Sequence, residues 1–365
     1  MPAPAASSDS SGIAAALLDA EDRNQRRAEW RIVRAIAGIG AAISFGFGVV
    51  MASDPELDDR LLSGLQGIVN SLMVSVPVIW IEVAGSRSHL MRRMRTWPFW
   101  VYLLVKIAAY IVLIVASIQL CRLLFDPVNP QSMAFDRRFF EIMAFAGGMS
   151  IVINVIVEIG RLVGFREMRR VLTGRYLQPR QERRVFLMID MKDSTAAAER
   201  LGDLRFHQLL NSFFRSVADA AYDHGAEIHK YIGDEAILTW PEDMALRGAR
   251  CALCPFGLER RLQRTAAEFS QRFGFVPGFR AVLHAGEIVA GEMGAMKREI
   301  AFVGDTLNTA ARLMDVARER GLDVVVSGDL AARLRLPAGL AVQPLKAAHL
   351  RGKERPLPVA ALRLT

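Results

Sequence analysis

The chain has 365 residues, 46 Lys and Arg against 38 Asp and Glu, and a formal net charge of +8. That length suits about two domains of roughly 150 residues each, and only three cysteines exclude a small disulfide-stapled module. The basic balance raises a nucleic-acid partner, but much of the Arg excess borders long apolar runs, where membrane topology accounts for it and no nucleic acid is needed.

Residues 1–12, MPAPAASSDSSG, are small and polar and read as disordered, not as a cleavable leader. Four apolar stretches follow, at 35–52, 65–85, 98–121 and 139–160. Each approaches or reaches the ~20 residues that cross a hydrocarbon core. This predicts a cytoplasmic segment over 1–34, then a four-helix transmembrane domain over 35–163. A buried bundle in a soluble domain is disfavoured by the length and apolarity of three of the runs.

Flanking charge orients the spans. Arg23, Arg26, Arg27, Arg31 and Arg34 precede the first, and Arg87, Arg92, Arg93 and Arg95 fill the middle connection. Arg161, Arg166, Arg169 and Arg170 follow the last, whereas the first outer connection holds Asp54, Glu56, Asp58 and Asp59. The third connection, with Asp126 and Asp136 beside Arg122, Arg137 and Arg138, is less biased. The alternation puts the N-terminus, the middle loop and the C-terminal half on the cytoplasmic side of an inner (plasma) membrane. Glu82 and Glu158 fall at the cytoplasmic ends of spans, and Lys106, inside the third, is a candidate partner for either. No His pair lies in the spans, so a haem-binding membrane domain has no support.

A linker over 164–184, GFREMRRVLTGRYLQPRQERR, starts helical and is interrupted by Gly174 and Pro179. It either relays a signal from the membrane or is a passive spacer. From Val185 the pattern becomes that of a soluble domain. VFLMID reads as a buried strand ending in a carboxylate. Residues 194–223 have helical spacing, with Leu201, Leu204, Leu209, Leu210, Phe213, Phe214 and Val217 on one face. Strands follow from Glu227 and from Ala236 to Trp240, joined by the tight turn Ile232-Gly233-Asp234-Glu235. Residues 243–273 read as a helix, and Phe279–His284 with Glu287–Glu292 as a hairpin. A strand over Glu299–Val303, a helix over Asn308–Arg320 and strands around Val324–Val326, Ala341–Leu345 and Pro358–Leu362 complete the chain. Without a regular βαβ repeat, the expected fold is an α+β sheet with helices on one side. Cys251 and Cys254 form a lone CxxC with no second pair, which reads as two small helix residues sooner than as a metal site.

Three features carry chemistry. Asp190 closes an apolar strand and is followed by Lys192, Asp193, Ser194 and Thr195 at a helix entry, where a carboxylate can hold a cation and helix-start amides can hold phosphates. Asp234 sits in a tight turn between two strands, so a second carboxylate projects from a fixed backbone. Asn308 and Arg312 are four apart on one helical face, and Arg suits charge developing on phosphorus. Singly, each is an ordinary cap, turn or solvated face; together they are unusual.

With FLMIDMKDST, HKYIGDEAIL, LHAGEIVAGEMG, FVGDTLNTAARL and HLRGKERP in this order, residues 185–365 resemble the catalytic domain of the class III adenylate/guanylate cyclases. The resemblance implies a ferredoxin-like catalytic domain that pairs head to tail as a homodimer and turns ATP into cyclic AMP with two Mg²⁺ or Mn²⁺ ions. It makes Asp190, Asp234 and the Met191 carbonyl metal ligands, and Lys230 the reader of the purine. Asn308 would position the ribose, and Arg312 would stabilise the transition state. Ser194 and Thr195 would line the phosphate loop, with Arg351 or Lys353 meeting the terminal phosphates. One protomer would supply the metal carboxylates and the other Lys230, Asn308 and Arg312. Two residues depart from the pattern: Ala301 stands where many adenylate cyclases have an Asp or Thr, and Asp193 replaces a Gly. The alternatives are a guanylate cyclase, a catalytically silent membrane sensor, a diguanylate cyclase, for which IGDEA is the only match, and a transporter.

Overall fold

The computed structural model describes the helix α1 (Phe99–Phe125), scattered helical residues within 34–77 and 137–152, residues 174, 176, 178 and 179, and 180–295, 299–353 and 355–365. The chain divides into two compact units, residues 23–172 and residues 1–22 with 173–365.

In the first unit, α1 buries Lys106, Tyr110, Ile114, Ser117 and Ile118, a stripe at helical spacing. Ile114, Ile118 and Phe139 form a small core with Val74, Val115 and Met143 against it. Phe47 and Phe145 stack with ring centroids 3.9 Å apart. Among the described residues no helix is long and apolar enough to cross a membrane; the side chains of α1 are described without a break over 104–120. Much of the expected spans at 35–52, 65–85 and 139–160, together with Glu82 and Glu158, lies outside the described residues.

The second unit is built on an eight-stranded sheet. In chain order it runs β1 (Arg180–Met191), α2 (Ser194–Leu201), α3 (Asp203–Asp223), β2 (Glu227–Ile232), β3 (Glu235–Pro241), α4 (Glu242–Leu246), α5 (Arg250–Arg264) and α6 (Ala266–Phe273). Then come β4 (Phe279–Met293), β5 (Glu299–Val303), α7 (Asp305–Glu319), β6 (Val324–Ser327), α8 (Gly328–Ala331), β7 (Leu340–Ala348) and β8 (Leu357–Leu364). The strand order is β2-β3-β1-β4-β6-β8-β7, with β5 paired to β4 off this path. Among the described residues only β4 and β6 pair in parallel.

The expected helices on one side are corrected to helices on both. Val185, Leu187 and Ile189 of β1 face a core with Leu209, Phe213 and Val217 of α3 and Cys251, Cys254 and Leu258 of α5. Phe186 and Met188 face the other way, into a core with Ala310, Leu313, Met314 and Ala317 of α7. A strand covered on both faces must be apolar at both parities, which is why VFLMI is an unbroken apolar run.

Four element boundaries also differ. The helix expected over 194–223 is two helices, parted at Gly202, whose φ of 71° ends α2. Residues 243–273 break where Gly248 and Ala249 take φ of 62° and 52°. Residues 279–293 form one long strand and not a hairpin. Gly286, between the two expected strands, lets the start of α7 come close: a Cβ there would meet the Thr306 hydroxyl, which donates to the Glu287 carbonyl at 2.7 Å. The strand β1 begins at Arg180, so the last linker residues belong to the sheet.

Within this unit Arg184 is buried and fully paired. Its guanidinium bonds Glu182 at 3.1 Å, Thr239 at 3.1 Å and Glu227, and lies 4.8 Å from the Phe302 ring centroid. A buried charge is tolerated only with such complete pairing, and here it joins β1, β2, β3 and β5. Cys251 and Cys254 are both buried and in no disulfide. Burial pushes the Cys251 thiol up to about 12, which leaves it unreactive.

Candidate active site

Asp190 is the penultimate residue of β1 and sits opposite Glu235 in the register with β3. It lies on the face covered by α7 and is 5% exposed. Asp234 enters the same sheet end through the β2–β3 turn, where Gly233 takes φ of 60°, a conformation cheap only for glycine. The Met191 amide donates to the Asp234 carbonyl at 3.4 Å, tying that turn to the end of β1. The two expected carboxylates and Met191 are therefore brought together.

Arg318, in the last turn of α7, donates from Nη2 to Asp190 Oδ2 at 3.0 Å, and its Nη1 lies 3.5 Å from Asp315. Glu235 is pushed up to about 7, first by burial and then by the charge of Asp190, with Asp234 and Asp315 adding to it and Arg318 opposing. A carboxyl so displaced signals an excess of negative charge at this sheet end. The chemistry of the donors, hard carboxylate oxygens and a backbone carbonyl, suits Mg²⁺ or Mn²⁺, and a divalent cation would relieve that excess. Among the described residues no group of three or more His, Cys, Asp or Glu is placed to hold a metal ion.

Beyond β1, Asp193 takes φ of 55°, a left-handed conformation that favours glycine, and its exposed side chain makes no cap bond to α2. Ser194 is half-buried and Thr195 exposed at the start of that helix. The Lys192 amide donates to the Gly278 carbonyl at 2.9 Å, and its ammonium pairs with Asp323.

A second cluster lies at the other end of α7. Asp305 accepts from Thr309 at 3.3 Å and from Lys353, and the Lys353 bond leads the causes that hold its carboxyl below the usual range, with Arg312 also contributing. Arg312 lies against Gly352, where a Cβ would stand 3.5 Å from Nη2. Asn308 and Arg351 are exposed. Arg312 precedes Arg318 by six residues, about 9 Å along the axis and on a different face, so this cluster and the carboxylate cluster are separate. A third position holds Lys230, just past a β-bulge in β2, with its ammonium 3.0 Å from Glu299 of β5. Ala301 is half-buried opposite Gly291 and offers no side-chain hydrogen bond.

Sequence reasoning missed Glu235, Asp305, Glu299 and Arg318. Glu235 adjoins Asp234, and Asp305 stands three residues before Asn308 inside the same motif, which was the available signal. Arg318 meets its partner across 128 residues, and nothing local announces that.

The chain is 33% identical over 302 residues to adenylate cyclase 2 of Rhizobium meliloti (strain 1021), covering 82% of this chain and 83% of that protein. It is 28% identical over 178 residues to adenylate cyclase 1 of the same organism, covering 47% of this chain and 26% of that longer protein. Among solved structures, a bacterial light-regulated adenylyl cyclase superposes with a TM-score of 0.50 at 14% identity, over 62% of this chain and 66% of that one, a likeness of fold alone. No family model matches.

Proposed function

We propose, from the premise that this chain belongs to the class III adenylate cyclase family, that it converts ATP to 3′,5′-cyclic AMP and pyrophosphate at a site completed by two copies of itself. The observation that carries the reading is the separation of two clusters on one domain. Asp190 and Asp234 occupy one end of the sheet, while Arg312 and Lys353 sit together elsewhere, beside Asp305 and Gly352. Head-to-tail pairing of two domains would face one cluster with the other twice, as a two-fold axis requires.

In that arrangement Asp190, Asp234 and the Met191 carbonyl would hold two Mg²⁺ or Mn²⁺ ions. Such ions neutralise triphosphate charge and lower the pKa of a coordinated hydroxyl. Ser194, Thr195 and the first amides of α2 would meet the phosphates. From the partner, Lys230 would read the purine edge and Asn308 the ribose, placing the 3′-hydroxyl in line with the α-phosphorus. Arg312 would meet the charge that grows there as the new O–P bond forms and the bond to pyrophosphate breaks. Arg351 or Lys353 would hold the departing pyrophosphate. With Ala301 lacking a polar group, base choice rests mainly on Lys230.

The first unit is read as a four-span anchor in the plasma membrane that also holds the dimer together, with the N-terminus and the catalytic domain cytoplasmic. What supports this is the outer surface of α1: Leu104, Ile111, Val112, Leu120 and Leu123 are exposed while Lys106 and Ser117 are buried. That polarity suits a lipid solvent.

The experiment is cyclic nucleotide formation by purified full-length protein given ATP or GTP with Mg²⁺ or Mn²⁺, beside Asp234→Ala. Cyclic AMP from the intact protein, reduced about 1,000-fold or more in the variant, is expected. No product from either nucleotide with either metal sinks the reading.

A further inference from the structure

Asp190 is a nearly buried carboxylate surrounded by like charge. Glu235 faces it across the β1–β3 ladder, and Asp234 and Asp315 add their charge to the same sheet end. A carboxylate in such a place needs a cation, because burying an unpaired charge is costly. The cation that the fold supplies is Arg318, whose Nη2 stands 3.0 Å from Asp190 Oδ2. Two further features matter. The Arg318 side chain is 49% exposed, so solvent borders the guanidinium and leaves it room to change partners. Asp315, one helical turn earlier, is 65% exposed and already 3.5 Å from Nη1, a second partner within reach of the same guanidinium.

We infer that Arg318 is a displaceable counter-ion, a positioning residue that holds Asp190 in the metal-free enzyme and transfers to Asp315 when a divalent cation takes that carboxylate. This rests on the reading of Asp190 as a metal ligand. Cation loading is then an exchange of one positive partner for another. Asp190 is never left buried and bare, and its carboxylate keeps one orientation in both states. The exchange also tunes affinity. Coulomb attraction to Arg318 must be given up for a cation to bind, and the pairing with Asp315, in higher dielectric, returns only part of it. The site should therefore load at higher metal concentration than its carboxylates alone would allow, and more readily when nucleotide phosphates enter with the cation.

The test is Mn²⁺ titration of the full-length protein in detergent micelles without nucleotide, followed by the electron paramagnetic resonance of free Mn²⁺, with thermal unfolding recorded in parallel. Arg318→Gln is expected to bind Mn²⁺ about fivefold more tightly, the change that one partly exposed ion pair is worth. Its metal-free unfolding midpoint should fall, and saturating Mn²⁺ should largely restore it. Asp315→Asn, which removes the second partner, should bind Mn²⁺ more weakly than wild type, and Arg318→Lys should stay near wild type. Unchanged or weaker Mn²⁺ binding by Arg318→Gln overturns the inference. So does a midpoint that drops equally with and without Mn²⁺, the mark of a merely structural ion pair. Asp190→Ala separates the two levels: if wild-type Mn²⁺ binding survives that change, the metal reading of Asp190 fails and takes the inference with it. If binding depends on Asp190 but ignores Arg318, the inference alone fails.

Discussion

The helices α1 and α7 bury stripes of similar spacing and differ in what they show to the outside. In α7 the buried residues are Thr306, Thr309, Ala310, Leu313, Met314, Val316 and Ala317, and the exposed ones include Asp305, Asn308, Asp315, Arg318 and Glu319. In α1 the buried stripe contains Lys106 and Ser117, and the exposed side carries Leu104, Val105, Ile111, Val112, Leu120 and Leu123. A helix in water hides its apolar face because transfer of that area from water is favourable. In lipid that drive vanishes and polar side chains turn inward to find partners. The pair teaches that two helices with similar buried stripes can differ most in their outer faces. On the proposed reading it also separates two tasks: the outer face of α7 would carry chemistry, while that of α1 would need only to be apolar.

The comparison is tested most severely at the α7 residue proposed to act on the nucleotide. Arg312→Ala should lower kcat by about 100- to 1,000-fold, the usual loss when a group that stabilises developing charge is removed, with little change in the thermal midpoint because Arg312 lies outside the core. Mixing sharpens the point. Co-expressed Arg312→Ala and Asp234→Ala chains should recover about a quarter of wild-type activity, since half the dimers are mixed and each has one complete site. No recovery, with both chains folded and associated, would mean that each domain works alone.

A smaller effect tests the outer face of α1. Val112 is 68% exposed, and Val112→Arg should cost about 3 kcal/mol of insertion if the residue faces hydrocarbon. Carbonate extraction of cell membranes reads this as loss of the protein from the integral fraction. The matching change on α7, Ala311→Arg at an exposed position, should move stability by no more than about 0.5 kcal/mol. Equal, small effects at both sites would make α1 an ordinary water-facing helix.

How much of this was legible varies with how local the cause is. The carboxylates of the β1 end and of the β2–β3 turn were visible because each follows an apolar run at a short distance, and strand ends and tight turns are determined within a few residues. The double-sided sheet had a signal too, in the unbroken VFLMI, but the alternative of one covered face was the simpler expectation. The hairpin expected over 279–292 failed because Gly286, between its two strands, serves the approach of Thr306 from another element and not a turn. The left-handed break at Gly248 and Ala249 was hidden, since alanine there signals helix continuation. The bonds of Arg318 to Asp190 and of Lys230 to Glu299 join residues 128 and 69 apart, and only the folded sheet determines such meetings.

The smallest expected effect concerns how the catalytic unit treats an ionisable group that it buries. The imidazole of His284, in β4, contacts Ser327 Oγ through Nδ1 at 2.9 Å and is 9% exposed. Burial lowers its pKa to about 4, Asp329 and Asp305 opposing and Lys353 and Arg333 assisting. The histidine is therefore neutral when folded, whereas in the unfolded chain it takes a proton near pH 6.5. Between those values the unfolded state binds more protons, so stability is full above about pH 6.5 and is lost as the pH falls toward 4. By pH 5.5 the loss should reach about 1 kcal/mol. His284→Gln, which has no proton to gain, should lower stability at pH 7.5 through imperfect packing but flatten the slope between pH 7 and 5. Chemical denaturation of the full-length protein at several pH values measures it. An unchanged slope would mean that the acid sensitivity of the catalytic unit resides in its carboxylates and that His284 is protonated or solvated in the fold.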